Sequence, residues 1–259
     1  MPSFSPGRWS WSTRVRIDEV GPDQTARPKD IVDWMQEAAG TASEAAGYSR
    51  ARFRRTGAAW FIRELTLRCM RPIPFGANVT VQTWVYDLRR FRTEREYRLS
   101  SPEGVAAEAA VEWLFLEDDG RGGVRPRRPD DEMKRAFPRI PDRVFVPDEV
   151  LDPAAEAPPA ARVAETTREV QPSDLDDNDH ANHAAVVGWL DDQARNLFGV
   201  GAQLEAMRVR YEAPARLKDR LLLRIAESDG VCVQTIHCGS ERLCRAVSRY
   251  RSKAREGGG

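Results

Sequence analysis

A chain of 259 residues, 41% of them hydrophobic, is long enough to bury two cores of ordinary size. Its 40 basic and 40 acidic side chains cancel to a formal charge of zero, so the electrostatic footprint of a nucleic-acid-binding protein is missing. Met1 to Ser12 lacks the apolar stretch of a secretory signal and no window approaches a membrane span, so the sequence reads as soluble and cytoplasmic.

In chain order, Gly21-Pro22-Asp23 precedes a helical pattern in which Ile31-Val32-Asp33-Trp34-Met35 leads into Gln36-Glu37-Ala38-Ala39. The run Ala38, Ala39, Ala42, Ala45, Ala46 and Gly47 keeps part of that helix small, which suits close helix-to-sheet packing and equally leaves room for a ligand. Trp60 falls on a strand, Arg71-Pro72 and Gly76 mark a turn, and strands follow at Val79 to Tyr86, Thr93 to Ser100 and Ala107 to Leu116. Val79, Val81 and Thr83 alternate with Thr80, Gln82 and Trp84, as one buried and one outward face require. Glu117 to Ala160, with Arg121-Gly122-Gly123 and Ala157-Pro158-Pro159, is rich in Pro, Gly and charge and reads as a long linker.

Beyond it, Asp174-Leu175-Asp176-Asp177-Asn178-Asp179-His180-Ala181-Asn182-His183 holds two of the three histidines, just before an apolar helical pattern from about Asn182 to Phe198. If Asp176-x-Asn178-x-His180 is extended, its side chains alternate and all three can meet one substrate atom. The helix would aim unpaired backbone N–H groups, near Ala181 and Asn182, at the same point, where an oxyanion could be held. Any one of these residues alone is more often a helix cap or a satisfied polar group; together they have the composition of an active site. Strands then recur at Leu221 to Ala226, Val231 to Cys238 and Arg242 to Tyr250. The cysteines at 69, 232, 238 and 244 fit no zinc spacing and read as buried free thiols, so neither metal nor disulfide is expected. Lys stands only at 29, 134, 218 and 253, an Arg bias expected of a GC-rich bacterial source.

The two halves repeat. Ile31-Val32-Asp33-Trp34-Met35 matches Val186-Val187-Gly188-Trp189-Leu190 at an offset of 155 (189 − 34), and Leu65 to Pro72 matches Met207 to Pro214 at 142 (214 − 72). The difference of 13 residues places an insertion in the first half, near Tyr48 to Ala58. Aligned this way, Asn178 stands opposite Asp23, His180 opposite Thr25 and Asn182 opposite Arg27, so only the second half has the imidazole.

Asp176-x-Asn178-x-His180-x-Asn182 resembles the signature of the acyl-acyl carrier protein thioesterases, plant and bacterial enzymes that release fatty acids from carrier protein. Ser173-Asp174-Leu175-Asp176, Gly188-Trp189 and Tyr211 fit as well, and the first half contributes Gly21-Pro22-Asp23, Gln36-Glu37-Ala38-Ala39, Trp60, Arg71-Pro72 with Gly76, Thr83-Trp84 and Val111-Glu112-Trp113. The resemblance implies an α+β chain of two tandem hotdog domains, each a long helix wrapped by a curved antiparallel sheet, at 9–117 and 161–253, with 118–160 as linker. It implies hydrolysis of fatty acyl-acyl carrier protein, with Asp176 as essential carboxylate, Asn178 and His180 orienting and polarising the reacting groups, and no cofactor. The first half would hold the acyl chain, with Met35, Ala38, Ala39 and Ala42 as the residues beside it. The partner implied is an acyl carrier protein with its 4'-phosphopantetheine arm, docked by one of the clusters Arg52-Phe53-Arg54-Arg55, Arg89-Arg90-Phe91-Arg92 or Arg121 to Arg128; a homodimer is possible. Plant members carry a functional Glu where this chain has Pro214, and Glu212, two residues earlier on the same strand face, is the candidate substitute. Alternatives are a thioesterase for acyl-coenzyme A or a polyketide intermediate, and a noncatalytic acyl or carrier-protein binding module. No Gly-x-Ser-x-Gly elbow is present, which disfavours the serine hydrolase route.

Overall fold

The computed structural model describes residues 3–5, 7–121, 123–152, 154–158 and 161–251. Gly122 and Pro159 of the linker signals, and 252–253 at the expected end of the second unit, lie outside the described residues.

The first half contains β1 (Ser3–Ser5), β2 (Arg8–Arg14), α1 (Pro28–Ala45), α2 (Arg50–Thr56), β3 (Ala58–Cys69), β4 (Asn78–Arg89), β5 (Arg92–Ser101) and β6 (Gly104–Asp118). Then come β7 (Val124–Pro126), α3 (Asp131–Ala136) and α4 (Pro147–Val150), followed by β8 (Arg162–Glu169), α5 (His183–Phe198), β9 (Gln203–Tyr211), β10 (Arg220–Ser228), β11 (Val231–Cys238) and β12 (Glu241–Arg251). The strands form one antiparallel sheet in the order β1-β2-β4-β5-β6-β3-β9-β12-β11-β10-β8, with β7 beside β6. Leaving β1 and β7 aside, that order is the same arrangement twice, reversed about the β3–β9 seam, where Leu67 faces Met207. This is the α+β double hotdog architecture.

Each half wraps its sheet round one helix, and the two helices touch each other. Pro28 at the first helical position starts α1, and the Asn182 side chain, accepting the Ala184 N–H at 2.9 Å, caps α5. Ile31, Trp34, Met35 and Ala38 of α1 and Ala184, Val187, Leu190 and Ala194 of α5 enter a single core with Leu67, Leu99, Met207 and Leu223. The repeat offsets are the structural ones: Ala26 N–H donates to Ile73 O at 2.8 Å, and Ala181 N–H to Ala215 O at 2.8 Å. The surplus near Tyr48 to Ala58 is α2, a basic helix with no counterpart in the second half.

The segment 118–160 does more than link. Met133 and Phe137 pack with Tyr48 and Phe115 in a separate small core, and Asp142 O accepts the Trp84 indole N–H at 2.7 Å. Arg208 donates to Leu151 O at 3.0 Å. Its charged and Pro-rich composition fits the outward face of the sheet, where Glu96 and Arg208 point away from the helices and need polar partners.

Candidate active site

The motif is a tight turn, not the extended run that period-two alternation assumes. Asp176 N–H donates to His180 O at 2.8 Å, Leu175 bridges to Ala181, and Asp179 adopts φ 58°, a left-handed conformation that Asp tolerates. One oxygen of the Asp176 carboxylate is engaged inside the turn: Oδ1 accepts Asn178 N–H at 2.8 Å and His180 N–H at 3.4 Å. Asn178 is exposed, and its amide makes no hydrogen bond among the described residues. The first half builds the same turn, with Gly21 N–H donating to Thr25 O at 3.0 Å and Gln24 at φ 60°.

The expected oxyanion donors are occupied. Ala181 N–H is bound to Ala215 O, and Asn182 N–H donates to Asp174 O at 2.8 Å, because these two residues pin the turn to its neighbours. Among the described residues, the donors without an acceptor lie one step further on, at His183 and Ala185: an α-helix offers its first N–H groups no internal acceptor, and the Asn182 cap takes only that of Ala184.

His180 is half-buried, and burial lowers its pKa below the ordinary histidine value; the Arg216 charge lowers it further, against the opposing pull of Asp176 and Asp179. The neutral, proton-accepting imidazole is therefore favoured. His183, the first residue of α5, was not assigned a role from the sequence. Its ring stands edge-on to Trp113 of β6, with centroids 5.8 Å apart, and to Tyr211 of β9 at 6.4 Å. The Tyr211 hydroxyl donates to His183 O at 3.2 Å. Burial alone holds the His183 imidazole down to about 4. No local sequence pattern reports its contact with Trp113, since the two residues stand 70 positions apart in sequence (183 − 113).

Glu212 is the residue expected to stand in for the family's Glu. It follows the end of β9 and forms a two-point ion pair with Arg242, Nε at 2.8 Å and Nη2 at 2.9 Å. Of the residues expected along the acyl chain, Met35 and Ala38 are sealed in the core and Ala39 packs against it. Ala42 lines a cleft of about 350 Å³, solvent included, that it shares with Ala46. A larger cleft of about 590 Å³, solvent included, lies at the first-half turn, beside Asp23, Thr25 and Arg195, and no imidazole lines it. The cysteines are unpaired, and burial pushes Cys69 and Cys232 up to about 12, which makes them poor nucleophiles.

Across the chain, residues 8–134 match the family model for the acyl-ACP thioesterase N-terminal domain. The oleoyl-acyl carrier protein thioesterase of Coriandrum sativum chloroplasts is 24% identical over 191 residues, 68% of this chain and 51% of that protein. The chloroplast palmitoyl-acyl carrier protein thioesterase of Cuphea hookeriana is 25% identical over 188 residues, 68% of this chain and 44% of that protein. This chain thus spans about half the length of the curated relatives it matches. Two solved structures share its fold: a putative oleoyl thioesterase from Lactobacillus plantarum (TM-score 0.79, 18% identity, 95% of this chain and 97% of that one) and the 12:0-ACP thioesterase from Umbellularia californica (TM-score 0.79, 17% identity, 95% and 94%). The first half of the chain thus matches the acyl-ACP thioesterase N-terminal domain, and the whole chain shares the doubled hotdog fold of these solved structures.

Proposed function

We propose that this chain hydrolyses the thioester of fatty acyl-acyl carrier protein, consuming water and releasing the fatty acid and the carrier's pantetheine thiol. The observation that carries the reading is His180, kept in its neutral form at the turn that leads into α5. His180 takes a proton from the attacking water, and the thioester oxygen, as it gains negative charge, is received by backbone N–H groups at the start of α5. Asn178 offers its exposed amide to the substrate. Asp176 acts by holding the turn, and Glu212 is left to its pair with Arg242. The unit at 9–117 holds the acyl chain and that at 161–253 supplies the chemistry, with 118–160 between them.

The basic helix α2 favours a carrier protein over coenzyme A. Its neighbourhood reaches the motif turn, Arg50 and Arg54 lying 3.3 and 3.6 Å from Asp177, so an acidic carrier docked on Arg54 and Arg55 would deliver its arm beside His180. A cytoplasmic setting accords with four unpaired thiols, and a bacterial source and a homodimer complete the proposal. Thiol release from acyl-acyl carrier protein and acyl-coenzyme A, measured in parallel, tests it. Wild type should prefer the carrier substrate, His180→Ala should lose at least about a hundredfold in kcat, and replacing Arg54 and Arg55 with Ala should raise KM for the carrier substrate alone. No hydrolysis of either thioester by folded wild type would leave a binding module as the better reading.

A further inference from the structure

On β5, Arg95 shares the inward-facing parity of Tyr97 and Leu99, both core residues, and so turns its guanidinium toward α1. It is 8% exposed, yet it has no ion pair among the described residues. One Nη1–H donates to Thr83 Oγ1 at 3.3 Å, and the guanidinium carbon stands 5.9 Å from the Phe137 ring centroid. Its remaining N–H groups have no acceptor among the described residues. Burial lowers its pKa, and the one charge interaction in reach is with the Tyr97 hydroxyl.

A buried guanidinium without a counter-charge costs folding free energy, and a chain that only needed a core would place an apolar side chain there. The second half does so. Through the ladder Arg95–Val111–Leu65 and its counterpart Cys232–Ser248–Met207, the matching position is the buried Cys232. At the position matching Ala42, α5 carries Leu197, which packs against the core. The first half instead keeps Ala42 and Ala46, and with Thr83, Val85, Arg95 and Phe137 they line the open cleft of about 350 Å³.

We propose that this cleft binds a carboxylate carried on an apolar tail, with Arg95 receiving the carboxylate and the α1 alanines, Val85 and Phe137 enclosing the tail. A guanidinium with several unspent N–H groups matches a carboxylate's two oxygens, and a mostly apolar wall matches a hydrocarbon. Only the ligand class rests on the proposed thioesterase function. The carboxylate can come from a released fatty acid or from the far end of a dicarboxylic acyl chain.

Calorimetric titration of the full chain with decanoate and with decanol reads binding without any hydrolysis, so a failed thioesterase assay does not touch it. Decanoate should bind wild type, at least about tenfold more weakly to Arg95→Met and with intermediate affinity to Arg95→Lys, while decanol should not be weakened by Arg95→Met. Equal binding of decanoate and decanol by wild type, or unchanged decanoate binding by Arg95→Met, overturns the proposal. The Tm of Arg95→Met should equal or exceed that of wild type, and a clear fall would assign Arg95 to structure and overturn it too. Should Arg95→Met fail to fold, Ala42→Phe fills the cleft with Arg95 intact and must abolish decanoate binding. Release rates from carrier protein loaded with decanoyl or 9-carboxynonanoyl chains then separate the sources. Preference for the diacid chain, lost in Arg95→Met, identifies the substrate's far end; decanoate inhibition, relieved in Arg95→Met, identifies the free acid.

Discussion

Acid should destabilise this protein through the imidazole of His183, a side chain with no assigned chemistry. Its imidazole lies between Trp113 and Tyr211, and burial holds it at about 4 in the folded chain, against about 6.5 when unfolded. A depressed histidine pKa means that the unfolded state binds the proton first. Stability is therefore fully present above about pH 6.5 and is lost as pH falls toward 4. Between pH 7 and 5 the two values give a loss of about 2 kcal/mol, approaching about 3 kcal/mol below pH 4. His183→Phe keeps a planar ring at the same place and removes the proton site. Urea melts of both proteins at pH 7 and pH 5 isolate the effect, because every other titrating group is common to them. Wild type should lose about 2 kcal/mol more than the variant over that interval. Equal losses in the two would mean that His183 is charged in the folded state or finds an acceptor there, and the argument from burial would fall.

Four further outcomes are expected. Asp176→Ala should lower kcat at least about tenfold with a stability cost near 1 kcal/mol, because two turn N–H groups lose their acceptor, whereas Asp176→Asn keeps an acceptor oxygen and should retain most activity; equal losses in both would make the carboxylate itself chemical. Glu212→Gln should stay within about threefold of wild-type turnover, since its carboxylate is committed to Arg242, and the pH–rate limb should be centred below the ordinary histidine value of about 6.5, as a lowered His180 pKa requires; a limb above 7 removes His180 as base. Glu64→Gln should cost about 2 kcal/mol in urea melts, less than the loss of a fully buried ion partner, because Asp148 still pairs with Arg208 while Arg210 is left alone across the β3–β9 seam; an unchanged melt would show the network to be ornamental.

Local chemistry carried much of this protein in one dimension. The two helix starts, most strand cores, the repeat offsets and the extra segment that became α2 all follow from hydrophobic period, caps and turn residues, which act over a few positions. The motif could be recognised as a cluster for the same reason, since Asp176 to His183 are neighbours along the chain. What that cluster does with its side chains was decided elsewhere. Whether Asp176 is free or spent, and whether Ala181 N–H is open or bound, depends on the turn closing on itself and on Ala215, which arrives through a different strand connection. Glu212 was claimed by Arg242 from the adjacent β12, and the folding of 118–160 onto the sheet answers buried groups such as Trp84 and Arg208 that lie far away in sequence. His183 and Arg95 show the limit most plainly. Their residue types say nothing unusual, and only burial by distant partners, which strips water from one imidazole and from one unpaired guanidinium, makes either of them matter.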